Sequence, residues 1–117
     1  MEKMVLEEFE NCSLVKFNLK RATLIDAEEV KSYLSSVIGK GNKNLLLDLS
    51  EINFMDSTFL GALVVSLKRA IMDGGDLRLI ACDCKESVVW IMFHSTRMDK
   101  VFKVFDSKEA ALESFRQ

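Results

Sequence analysis

The chain reads as a single α/β domain, a mixed β-sheet with about four helices packed on it. Three observations carry that expectation. Two alternating segments open the chain, MVLEEF (4–9) and CSLVKFNL (12–19); a continuous apolar run, LLLDL (45–49), follows; strand-like and helix-like patterns then alternate to the end. A hairpin followed by β-α alternation implies a mixed sheet with helical crossovers. With 117 residues, 49% of them apolar, the chain can bury one core of ordinary size.

The elements follow in order. Residues 4–9 and 12–19 form two strands joined by a tight turn at Glu10 and Asn11, the second alternating through Leu14, Phe17 and Leu19. Asp26 is a good N-cap for a first helix, with Glu28 and Glu29 in its first turn, where the helix dipole favours acids. Val30, Leu34, Val37 and Ile38 give that helix its apolar stripe, and Gly39 and Gly41 end it. LLLDL has the pattern of a central strand covered on both faces. A second helix over about 57–72 stops at Asp73, Gly74 and Gly75; Leu60, Leu63, Val64, Leu67 and Ile71 form its core stripe. DLRLIAC is the next strand and ESVVWIMFH (86–94) a short helix, with Trp90 and Phe93 as core anchors. KVFKVF near 100–105 is a last short strand, and SKEAALESF a closing helix capped by Ser107.

Composition removes several function classes. The net charge of -2 is small and the two signs are interspersed, without the basic stripe of a nucleic-acid binder. No apolar run approaches the roughly 18 residues of a membrane span. MEKMVLEEFE is acidic and unlike a leader, so a cytoplasmic location and no membrane partner are expected. Cys12, Cys82 and Cys84 are odd in number and do not make a disulfide framework. Cys82-x-Cys84 has the form of a redox or metal half-site, yet no second Cys/His pair completes it, so buried, reduced thiols are expected. His94, the only histidine, cannot build a multi-histidine metal site. There is no GxSxG elbow, Walker loop or dinucleotide fingerprint, so no cofactor and no catalysis are expected.

Asp56-Ser57-Thr58 stands where the central strand gives way to the second helix. One reading is that it starts the helix, since these residue types cap the orphan amides of a first turn. The other is that Ser57 accepts a phosphate, which meets unpaired amides and the positive end of the dipole there. The helix carries a second row, Ala62, Val65, Arg69 and Met72, of small or moderate apolar groups beside a cation. That row is either part of a broad core face or a docking surface. Gly61, inside the helix, costs roughly 0.5–1 kcal/mol relative to alanine, which close packing against a strand or a partner backbone would explain.

The stretch LLLDLSEINFMDSTFLGALVVSLKRAIMDGGDLRLI resembles the core of a STAS domain, specifically the bacterial anti-sigma factor antagonists. In that family an apolar strand leads into a D-S-[ST]-G-L-G loop that opens a helix, and a Gly-Gly turn leads to the next strand. The resemblance implies a partner switch. An anti-sigma factor that is itself a serine kinase of the GHKL type phosphorylates the serine after the aspartate, here Ser57. The unphosphorylated antagonist binds that kinase, and a serine phosphatase resets it. Asp56, Thr58, Phe59, Ala62, Val65 and Arg69 are then the expected partner-binding residues, and exposed Phe59, Val65 and Met72 would also suit a weak homodimer. Three positions differ from the family pattern. Phe59 replaces a glycine, Lys20-Arg21-Ala22-Thr23 lacks the acid of a G-x-[LIV]-D stretch, and Arg97 replaces a glycine near the end of the third helix. Two alternatives stand beside this reading: a STAS binding module without a phosphoswitch, in a signalling or transport assembly, and a small thiol enzyme or metal binder using Cys82 and Cys84.

Overall fold

The computed structural model of the chain describes residues 2–82 and 86–116. Strands β1 (Met4–Glu8) and β2 (Ser13–Phe17) pair antiparallel from Met4 opposite Phe17 to Glu8 opposite Ser13. The Phe9 amide donates to the Cys12 carbonyl at 2.8 Å and closes the turn between them. Two very short strands, β3 (Arg21–Ala22) and β5 (Phe54–Met55), pair parallel as a separate ribbon. The main sheet continues with β4 (Asn44–Asp48), β6 (Asp76–Ile80) and β7 (Val104–Phe105), each parallel to its neighbour, in the order β1-β2-β4-β6-β7. Parallel neighbours need crossovers. These contain α1 (Leu24–Gly39), α2 (Ser57–Met72) and α3 (Val88–Ser95), the last followed by a 3-10 turn at Met98–Lys100; α4 (Lys108–Ser114) closes the chain.

The LLL run of β4 is apolar throughout because both faces are covered. Leu45 and Leu47 enter the main core with Val15, Phe17, Leu34, Leu63, Leu77, Leu79 and Phe93. Leu46 points the other way, into a smaller cluster with Cys12, Leu14, Ile80 and Ala111 beneath α4. Arg78 fastens α4 to the sheet: Nη1 donates to the Ser114 carbonyl and hydroxyl at 2.7 and 2.9 Å, and its guanidinium lies 4.0 Å from the Phe115 ring centre. The Gly74-Gly75 turn has two separate causes. Gly74 takes φ +89°, and a side chain on Gly75 would lie 2.6 Å from the Lys43 carbonyl carbon.

The structure revises four local expectations. Helix α1 is capped by Thr23, whose side chain accepts from the Ile25 amide, three residues before the expected Asp26. Asp26 is instead a buried first-turn acid bonded by Lys3 Nζ at 3.0 Å. That bond, then the one to Glu29, raises the Lys3 pKa by favouring its charged form. Ile71 lies off the core stripe and is exposed. Gly61 is exposed with open space above it, so packing against a strand is not its reason. Cys82 is exposed and disulfide-bonded where a buried, reduced thiol was expected, while Cys12 is buried and free. Cys84 lies outside the described residues.

Candidate functional site at two converging helix starts

The β3–β5 ribbon brings two helix starts together. Arg21 stands opposite Phe54 and Ala22 opposite Met55, so the next residues, Thr23 and Asp56, open α1 and α2 side by side. The Asp56 amide donates to the Ala22 carbonyl at 3.0 Å. Its carboxylate then serves both helices. Oδ1 accepts from the Phe59 amide at 2.9 Å and caps α2, while Oδ2 accepts from the Leu24 amide at 2.8 Å. Two helix dipoles and two orphan amides thus converge on one acid.

This arrangement leaves Ser57 out of the cap. The cap of α2 is Asp56, so Ser57, the first helical residue, has no capping duty. It is exposed, as is Thr58, and among the described residues neither hydroxyl makes a hydrogen bond. The hydroxyl is presented to solvent at the first turn of α2. The neighbouring carboxylate is committed to two amides, and the one histidine lies on α3. Among the described residues no group of three His, Cys, Asp or Glu is placed to hold a metal ion.

The expected partner-binding residues divide into two sets. Thr58 and Val65 are exposed, and Asp56 and Arg69 are half-buried; Arg69 reaches across to α1, donating to the Ser35 hydroxyl at 2.7 Å. Phe59 and Ala62, by contrast, are buried in this fold. Phe59 is 0% exposed and meets the edge of Phe17 at 6.0 Å between ring centres. Its ring therefore turns into the core, away from Ser57, and it cannot support a dimer either. The signal for this was in the sequence: Phe59, Leu63, Leu67 and Ala70 share one helical face as well as Leu60 does. Ala62 lies beside buried Ser66, which donates to its carbonyl at 2.9 Å.

Sequence reasoning missed two residues of this surface. Leu24 and Ile25, the first two residues of α1, are 65% and 81% exposed. They sit beside the start of α2 because Leu24 is tied to Asp56. Thr58, Gly61 and Val65 of α2 are exposed as well.

A family model for the STAS domain matches residues 3–111. The chain belongs to the STAS domain family. A protein of Thermotoga maritima named "Putative anti-sigma factor antagonist" is 30% identical over 80 residues, 68% of each chain. BtrV of Bordetella bronchiseptica, which carries the same description, is 26% identical over 91 residues, 78% of this chain and 76% of that one. Among solved structures, an anti-sigma factor antagonist from Mycobacterium paratuberculosis superposes with a TM-score of 0.84 at 20% identity, covering 97% of this chain and 93% of that one. The phosphorylated form of the Bacillus cell fate determinant SpoIIAA does so at 0.68 and 14%, covering 97% and 99%. At these identities the structures establish that the fold is shared. The departures from the STAS pattern also find their places. Phe59 fills core, Thr23 caps α1 in place of an acid, and Arg97 holds the left-handed conformation (φ 64°) that glycine adopts most readily. No helix among the described residues is long and apolar enough to cross a membrane.

Proposed function

We propose that this STAS domain is an anti-sigma factor antagonist that works by partner switching. It binds an anti-sigma factor of the GHKL serine-kinase type while Ser57 is unphosphorylated and releases it once Ser57 carries phosphate; a serine phosphatase restores binding. The protein is then a cytoplasmic, cofactor-free substrate and ligand of other enzymes, with the chain acting as one domain. The observation that carries this reading is the Ser57 hydroxyl, exposed and unbonded beside an acid that already does the capping. Leu24, Ile25, Thr58, Gly61 and Val65 supply the contact surface around it. A phosphate there adds roughly two negative charges beside Asp56. The helix start can hold that charge, so the fold survives, while an apolar interface pressed against it does not.

The test is a pull-down from the cytosol of its own organism with wild type, Ser57→Ala and Ser57→Asp, followed by phosphopeptide mapping. A kinase-like partner held by Ser57→Ala and lost by Ser57→Asp, with phosphate on Ser57, supports the switch. Phosphate on Thr58 alone, or labelling of Ser57→Ala equal to wild type, refutes the site. Thr23 in place of the family acid favours a second reading, a STAS binding module that holds its partner constitutively. That reading requires equal capture by all three proteins.

A further inference from the structure

A cavity of about 430 Å³ lies at the carboxyl ends of β6 and β7, under α3. Its volume falls within the roughly 300–1,000 Å³ typical of ligand pockets, and the ends of parallel strands are where open α/β sheets receive ligands. Trp90, Phe93 and Phe105 give it aromatic walls, and Asp99 and Asp106 give it carboxylates; among the described residues no lysine or arginine lines it. That lining repels anions and suits a cation with a flat apolar body.

The polar end is more specific still. The His94 ring stacks on Trp90 with 3.7 Å between centres, and its Nδ1 lies 2.9 Å from the Trp90 carbonyl oxygen. A carbonyl only accepts, so Nδ1 carries the proton, and in the neutral ring Nε2 is left as an acceptor. That acceptor faces another, the Asp99 carboxylate Oδ2, at 3.8 Å. Two acceptors have no proton to share between them, and an N–H donor placed against both satisfies each.

We infer that this cavity binds a small aromatic organic cation, its ammonium or amidinium donating to His94 Nε2 and Asp99 while its ring lies among Trp90, Phe93 and Phe105. Trp90 is the only tryptophan, so its emission reports the cavity directly. The experiment titrates the protein with phenethylammonium, with phenylacetate as the charge-reversed probe and methylammonium as the probe without a ring. A saturable change in Trp90 emission is expected for phenethylammonium alone. Affinity should fall about tenfold in Asp99→Asn, which corresponds to about 1.4 kcal/mol. Asp106→Asn, at an exposed position, should weaken binding less and serves if the first variant fails to fold. The inference is overturned if wild type gives no saturable response up to about 10 mM, weaker than the millimolar range of fragment binding. It is equally overturned if phenylacetate binds as well as phenethylammonium, or if a folded Asp99→Asn variant binds as tightly as wild type.

Discussion

Replacing Asp56 by alanine removes a hydrogen bond from each of two helices at once. The Oδ1 bond to Phe59 is the N-cap of α2, and losing such a cap costs about 1 kcal/mol, within a range of about 0.5–2. The Oδ2 bond to Leu24 is a charge-assisted bond of the kind that contributes about 1.5–3 kcal/mol. Leu24 is largely exposed, so water replaces part of that second bond and the lower end applies. The expected total is about 2–3 kcal/mol. Asp56→Asn offers one carbonyl oxygen for two donors and should lose about half as much. Urea unfolding of the three proteins measures both numbers, with an unchanged denaturant slope expected because the surface exposed is the same. Amide exchange at Leu24 should also accelerate in Asp56→Ala. A loss under about 0.5 kcal/mol in Asp56→Ala would refute the claim that this carboxylate clamps the two helix starts.

Three further expectations rest on single observations. Phe59→Ala empties a fully buried site against Phe17 and should cost about 3–5 kcal/mol; a loss below 1 kcal/mol in denaturant unfolding would place the ring outside the core. Arg97→Gly relieves a left-handed backbone that costs a side-chain-bearing residue about 1–2 kcal/mol, partly offset by glycine's freedom in the unfolded chain, so its melting temperature should rise. Burial raises the Cys12 thiol above its ordinary 9.0, opposed by the Arg78 charge. The unfolded chain therefore ionises first, and the stability from the buried neutral thiol, present below that value, is lost as pH rises through it. Unfolding free energies of wild type and Cys12→Ala, compared at neutral and strongly alkaline pH, should converge as pH rises; a constant difference contradicts the burial argument.

How far the sequence could be read depended on whether each signal was local. Helix α2 matched its expected 57–72 because a buried strand, a capping triplet, a helical stripe and a Gly-Gly turn succeed one another within one stretch. The two-faced burial of β4 followed from its unbroken apolar run, and Ser107 capped α4 as its residue type implied. The β3–β5 ribbon was illegible because two residues carry no periodicity. The start of α1 was misplaced for a tertiary reason. Its Leu24 amide is satisfied by Asp56, 32 residues later, so the helix can begin on exposed Leu24 and Ile25 that no amphipathic pattern would place there. The side of the helix taken by Phe59 was decided by the core as a whole, where Phe17 provides the facing edge. The candidate site was thus legible at Ser57 and Asp56, and illegible where α1 contributes to it.

The central claim is that charge on Ser57 controls partner binding without altering the fold. Its most direct measurement is the dissociation constant of the cognate anti-sigma kinase for this protein, by calorimetry, before and after stoichiometric phosphorylation, with the melting temperature followed in parallel. The account predicts a loss of affinity of at least about 100-fold, near 2.7 kcal/mol, with a melting temperature close to that of the unmodified protein. Equal affinity in the two states would contradict it.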